Sequence, residues 1–377
     1  MKAPLQRPGY RKLSYQRLGY LDWMRGLAAI TMLQGHVFHS FLRDDLRKSG
    51  PYLASQFVGG MPPAIFLFLL GVTFAFGMDS HERKRATAST RFVAALKRTG
   101  QIFALAFAFR LQMWIVSIDK SPWTDLLRVD VLNTMGFALL CLAAMAAFRT
   151  VERIRLCAVL GVLIGAAGPL VSAVNWEGVP PLIKHYLAPD TFYFGFFPWA
   201  AFVAFGMSAG SLLRWLDRDR IGMAMQWLGG AGVALAFGGW FASTLPFSVY
   251  PSVDFWRDSP ALIFIKLGVL LMLLSFSYAW NLGLRDGQWS IVRQFGVTSL
   301  LVYWVHVELV YGRWFWFLKE NLTLPQTVSA AITVTLLMLG TSLLRTNWVA
   351  VRQWLRTTTT PAWAPVRESG ASEASGD

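Results

Sequence analysis

Apolar residues in this chain gather into runs of roughly 20 residues separated by short polar segments, in place of the narrow stripes that mark a water-facing helix. A helical run of that length crosses roughly 30 Å of hydrocarbon, and a helix is a fold in which every backbone polar group is satisfied inside the segment. The pattern therefore predicts an all-α, polytopic integral membrane helix bundle. Ten spans are expected, at 20–41, 57–78, 99–117, 131–148, 154–174, 192–213, 225–245, 261–282, 295–316 and 327–345. Together with their flanks they form one membrane domain over 1–357. Residues 358–377, TTTPAWAPVRESGASEASGD, are small, polar and Pro-containing, and are expected to be a disordered cytoplasmic tail.

Composition strengthens this picture. Charged residues make up 15% of the 377 residues against 55% hydrophobic, well below the charged share of about 25% in globular proteins. Seventeen Trp suit a chain with many membrane interfaces. The two cysteines, Cys141 and Cys157, both sit in apolar runs, which supports neither a disulfide framework nor a Cys-based metal site. The first apolar run is too long for a signal-peptide core and lacks a small-residue cleavage pattern, so it is read as a retained helix.

The formal charge of +14 raises nucleic acid as a partner, and the placement of the cations removes it. With the N-terminus inside, and span-edge residues counted with their loops, 23 Lys/Arg fall on the cytoplasmic side and 9 outside. That asymmetry is what the positive-inside rule predicts, with both termini cytoplasmic. The cations are scattered over short loops and form no single basic face. Three remain inside spans: Arg25, Arg110 and Lys266.

Charges inside spans need a partner or a polar cavity, which makes them candidate functional groups. Arg25 and His36 are eleven positions apart in the first span, three helical turns plus roughly 20°, and so share a face about 16 Å apart. Asp22 lies on that face one turn before Arg25. The bland alternative is a juxtamembrane Asp22–Arg25 ion pair with His36 and His39 at the far interface. His306 falls near the middle of the ninth span, as an acid/base group or as a satisfied core histidine; Glu308, two residues on, should point elsewhere. The third span adds Arg110 and Gln112. The chain has no Gly-rich phosphate loop with a Lys, no His-Glu-x-x-His pair and no Gly-x-Ser-x-Gly elbow, and no metal site is expected.

The stretch Leu21-Asp22-Trp23-Met24-Arg25-Gly26-Leu27-Ala28 resembles the opening of the first span in bacterial membrane proteins related to the heparan-α-glucosaminide N-acetyltransferase catalytic domain. Similar pieces follow in order: Pro63 to Val72, Asp130-Val131-Leu132-Asn133 with Gly136, Phe196-Phe197-Pro198-Trp199 with Gly206, and Ser299 to His306. The resemblance covers roughly residues 17–315. The wider superfamily of transmembrane acyltransferases shows an Arg, ten residues, then a His in the first span, a spacing that Arg25 and His36 reproduce.

The resemblance implies transfer of an acyl group, acetyl in the glucosaminide enzymes, from cytoplasmic acyl-CoA to a glycan or other envelope acceptor across the bilayer. Acetyl-CoA or another acyl-CoA is then a co-substrate and no cofactor is held permanently. It implies His36 as general base, Asp22 as the residue holding Arg25, and His306 as a second acid/base or an oxyanion donor. The CoA phosphates are expected near Arg83, Lys84, Arg85, Lys97 and Arg98, with Arg25 and Arg110 deeper in a channel. At one place the pattern departs: the glucosaminide enzymes carry their proposed catalytic His in the loop after the first span, and residues 42–56 here contain none. Amine and hydroxyl acceptors both stay open, as does homo-oligomerisation. The expected location is a bacterial inner membrane. The competing class is a transporter or flippase whose buried Arg and His line a substrate path without bond chemistry.

Overall fold

The structure is a computed structural model that describes residues 18–117, 121–190, 193–283, 288–350 and 352. The tail expected at 358–377 and the basic stretch before Leu18 lie outside these residues. The chain is all-α, with helices α1 (Gly19–Phe41), α2 (Gly50–Gly59), α3 (Pro62–Arg83), α4 (Ala88–Val116), α5 (Val131–Leu142), α6 (Thr150–Ala166) and α7 (Gly168–Ser172). The second half adds α8 (Pro181–Leu187), α9 (Phe196–Trp215), α10 (Arg218–Thr244), α11 (Pro260–Leu282), α12 (Ile291–Val297), α13 (Ser299–Tyr311) and α14 (Leu324–Thr346). An isolated parallel bridge pairs Leu42 with Leu322.

Each of the ten expected spans coincides with one helix or with two in series. Six helices are long and apolar enough to cross a membrane: α2 and α3 taken together, α4, α9, α10, α11 and α14. Polar residues set the ends. The Asp130 carboxylate accepts from the Leu132 and Asn133 amides at 2.9 and 3.1 Å and so starts α5, while Thr87 accepts from the Thr90 amide at 3.2 Å to start α4. A capping box between Thr323 and Gln326 opens α14, with a proline in its first turn.

The core runs along α9, 78% of whose most apolar stretch is buried against α3 and α6. For α10 the share is 11%, and its outer face carries Trp227, Phe237, Trp240 and Phe241. A helix apolar all round and packed on one side is what lipid contact permits.

The ninth expected span is broken at Thr298, between α12 and α13. Two features account for it. A Cβ at Gly296 would lie 1.7 Å from the Asp22 carbonyl oxygen, and one at Gly26 1.7 Å from that of Val292, so α12 lies directly on the α1 backbone. Thr298 donates its hydroxyl to the Gln294 carbonyl at 3.2 Å, and the Gln294 amide donates to the Ser342 carbonyl and hydroxyl at 3.1 and 2.9 Å, tying the break to α14. Residues 42–56, read as a loop, contain most of α2, which begins with Pro51 in its first turn.

Candidate active site

The end of α1 that carries His36 and His39 opens into a cavity of about 1310 Å³. Its walls come from the end of α1, the junction of α2 and α3, the end of α4, the start of α5, the approach to α9, the start of α11 and the end of α13. These are the ends that alternating helices bring to one side of a bundle.

His36 lines this cavity, held in place from below. Its helix touches α2 through Gly35 and Gly59, where a Cβ on Gly35 would stand 2.8 Å from the Gly59 Cα, and the Gln56 amide donates to the Gly35 carbonyl at 3.2 Å. The His36 ring stacks on His306 of α13 with centroids 5.1 Å apart and meets the edge of Tyr311 at 5.2 Å. His36 Nδ1 stands 2.9 Å from His306 Nε2, and His306 Nδ1 stands 2.7 Å from the Val302 carbonyl oxygen. A carbonyl only accepts, so His306 Nδ1 carries a proton and, in the neutral ring, Nε2 holds a lone pair. That lone pair accepts from His36 Nδ1–H, which leaves the Nε2 lone pair of His36 uncommitted. His306 itself is wholly buried and does not line the cavity; its ring touches His36 and Tyr303, which do.

The remaining polar wall comes from several elements. Arg110 donates through Nε and Nη2 to the Asp125 carbonyl at 3.2 and 2.8 Å, a cation on a neutral acceptor. Behind the wall, outside the cavity lining, Gln112 accepts from the Trp304 indole. Lys319, in the connection after α13, donates to the Tyr311 carbonyl at 2.6 Å; burial holds its ammonium below the ordinary value, against the opposing pull of Glu308. Glu308, expected to point away from the site, lines the same cavity, because the α13 end lies in its wall and residues on more than one side of that helix face it. Tyr311, Lys266 and Trp199 received no role from sequence; Lys266 was marked only as a charge inside a span.

Arg25 is elsewhere. It donates to Asp22 at 2.9 Å and lines a hollow of about 270 Å³ at the other end of α1, beside the α12–α13 break and Arg345. The Arg25–His36 face is thus the face that packs on the broken ninth span.

Arg83, Lys84, Arg85, Lys97 and Arg98 line neither space. Arg83 donates to Asp79 at 2.8 Å and to the Arg214 carbonyl at 2.8 Å, and Arg214 joins the same carboxylate at 2.9 Å. Next to them Glu82 stands 3.4 Å from Arg91 and 3.7 Å from Arg153, whose side chain is fully buried. This clasp links α3, α4, α6 and α9. Arg98 donates to Gln101 at 3.3 Å on an exposed surface. Among the described residues no group of three or more His, Cys, Asp or Glu is placed to hold a metal ion.

No curated protein matches the chain. The family model described as heparan-alpha-glucosaminide N-acetyltransferase, catalytic, matches residues 17–240. The match takes in Asp22, Arg25, His36, Arg110 and Trp199 and ends within α10, so Lys266 and His306 lie beyond it. With well over half of its length covered, the chain belongs to the heparan-alpha-glucosaminide N-acetyltransferase catalytic domain family.

Proposed function

We propose that the protein crosses the membrane ten times, with the Arg25 end in the cytoplasm, and transfers an acetyl group from acetyl-CoA to a sugar amine or hydroxyl that enters the His36 cavity from the other side. The observation carrying this reading is the hydrogen-bonded sequence Val302 carbonyl, His306, His36, which ends in an unshared imidazole lone pair on the cavity wall. That is the requirement for a general base, a group within reach of the proton it removes.

The acceptor N–H or O–H gives its proton to His36 Nε2 as its nitrogen or oxygen bonds to the thioester carbonyl carbon. The tetrahedral adduct then collapses, the C–S bond breaks, and the CoA thiolate leaves with the proton returned from His36. His306 fixes the tautomer and orientation of His36 and shares the imidazolium proton through Nε2; with both nitrogens engaged, it turns no donor toward an oxyanion. CoA phosphates would sit at the hollow beside Arg25 and Arg345, and the pantetheine arm would cover the roughly 16 Å of helix between Arg25 and His36. Asp22 holds the Arg25 guanidinium for that task. Arg110 faces the acceptor side. Lys84, Arg85, Lys97 and Arg98 add to the positive potential that draws CoA to the membrane surface.

The test is His36→Ala in purified, nanodisc-reconstituted protein, following release of CoA thiol with glucosamine as acceptor. A loss of about 10³-fold in kcat with an unchanged unfolding transition is expected, within the range of general-base removal; near-normal turnover would overturn the assignment. The α12–α13 break favours one second reading, since transporters build substrate paths from interrupted helices. Acceptor-dependent CoA release separates the two, because transport consumes no thioester.

A further inference from the structure

Lys266 is the in-span cation that neither the expected topology nor the proposed chemistry uses. Its ammonium donates to the Gly60 carbonyl at 3.3 Å and stands 4.9 Å from the centroid of the Trp199 ring. Among the described residues no carboxylate forms an ion pair with it. An ammonium has three donors, and a carbonyl plus a ring face uses them only in part and leaves the full charge uncompensated. Inside a membrane domain that arrangement is costly unless an anion or water reaches it, and Lys266 does face the cavity.

The position says which anion. Gly60, which Lys266 holds, follows Gly59, the residue whose Cα abuts Gly35 beside His36. The ammonium, the aromatic platform and the candidate base therefore share one cavity, while the hollow at Arg25 lies at the opposite end of α1. Trp199 is itself braced, edge-on to Phe194 at 5.2 Å and against Phe202 at 6.0 Å, so its ring is a fixed surface.

We propose that Lys266 and Trp199 form a subsite for an anionic substituent of the acyl acceptor, a carboxylate, sulfate or phosphate ester, and that the protein therefore selects an acidic sugar. This rests on the acyl-transfer reading for the step that follows binding, and the subsite itself is testable without it.

The probes are D-glucosamine, D-glucosamine 6-sulfate and D-glucosamine 6-phosphate, offered with acetyl-CoA to the full chain in nanodiscs of neutral lipid. Wild type should show kcat/KM about tenfold higher for the two anionic sugars, the scale of a charge-assisted contact. Lys266→Gln should bring that ratio to about one, and Lys266→Arg should keep most of it because the charge persists. Equal kcat/KM for the three sugars in wild type, or a ratio that survives Lys266→Gln, overturns the proposal; the wild-type ratio decides even if the Gln variant fails to fold. Binding is read separately as the rise in Tm on adding each sugar. If no sugar is acetylated but the 6-sulfate stabilises wild type and not Lys266→Gln, the acyl-transfer reading fails with this acceptor and the anion subsite stands. If phosphatidylglycerol in the nanodisc produces the Lys266-dependent rise and the sugars do not, the anion is a lipid headgroup and the assignment to the acceptor is overturned.

Discussion

Two groups of cations, one at each end of this bundle, are held in different ways. At the end bearing Arg83, cations are matched to carboxylates: Asp79 takes Arg83 and Arg214, and Glu82 lies between Arg91 and Arg153. At the end bearing His36, Arg257 meets Asp258 at 3.3 Å and Arg47 meets Glu320 at 3.1 Å, but Arg110, Lys266 and Lys319 rest on the carbonyls of Asp125, Gly60 and Tyr311. A carboxylate cancels the charge it holds, whereas a carbonyl orients the donor and leaves the net charge in place. The first arrangement fastens helices together. The second leaves cationic groups facing a cavity that Asp125, Asp130, Asp190 and Glu308 also line.

The most severe way to break this contrast is to remove a clasp residue that has no contact with either hollow. Arg153 is fully buried, bonded to Ser211 at 3.2 Å, the Phe148 carbonyl at 3.0 Å and Thr150 at 2.9 Å, and faces Glu82. Arg153→Met should cost about 3–5 kcal/mol of stability, the range for stripping one partner from a buried ionic network. Denaturant unfolding in detergent reads the loss, and the molecules that remain folded should keep their specific activity within about twofold. Unchanged stability together with a raised KM for acetyl-CoA would make the clasp a ligand site and erase the distinction between the ends.

At the cavity end the next effect belongs to His306, a positioning residue that acts through His36. His306→Leu removes the acceptor for His36 Nδ1–H and should lower kcat about 10²-fold, at the low end of acid/base effects. His306→Gln supplies an amide oxygen in its place and should recover part of the loss with little change in KM. Equal rates for Leu and Gln would show that the hydrogen bond does not orient the base.

Much of this was legible in the sequence, for reasons that residues make plain. Apolar runs near the bilayer thickness located the helices, and the eleven-residue spacing put Arg25 and His36 on one face, because both signals are local to a segment. What stands opposite that face is not local. His306 is 270 residues from His36, and no periodicity within α13 states that α1 packs there. The break at Thr298 likewise depends on Gly296 meeting the backbone at Asp22, a contact between distant segments. The basic group from Arg83 to Arg98 read as a single pool of charge, but Asp79, one turn before Arg83, and Glu82 divert part of it into the clasp. Lys266 was visible as a charged residue inside a span, while the absence of a paired carboxylate among the described residues depends on its neighbours in space.

Arg25 is the residue on which the contrast can be sharpened furthest, because it has features of both ends. It is paired with a carboxylate, Asp22, at 2.9 Å, as in the clasp, yet it lines a hollow with Arg345 and the α12–α13 break, as a ligand site would. Its side chain keeps 23% exposure, so the ion pair is partly screened and contributes on the order of 1 kcal/mol or less to stability. If pairing alone decides the role, Arg25→Gln shifts Tm slightly and leaves the KM for acetyl-CoA unchanged. If Asp22 instead holds the guanidinium in place for a phosphate, the same variant should raise that KM about tenfold with kcat and Tm nearly preserved, since an Arg–phosphate contact is charge-assisted and bidentate. The second outcome is expected, because Arg25 and Arg345 line the same hollow, where a phosphate would meet two guanidinium groups. An unchanged KM would move CoA docking away from this hollow and leave the His36 cavity as the one ligand site supported at either end of α1.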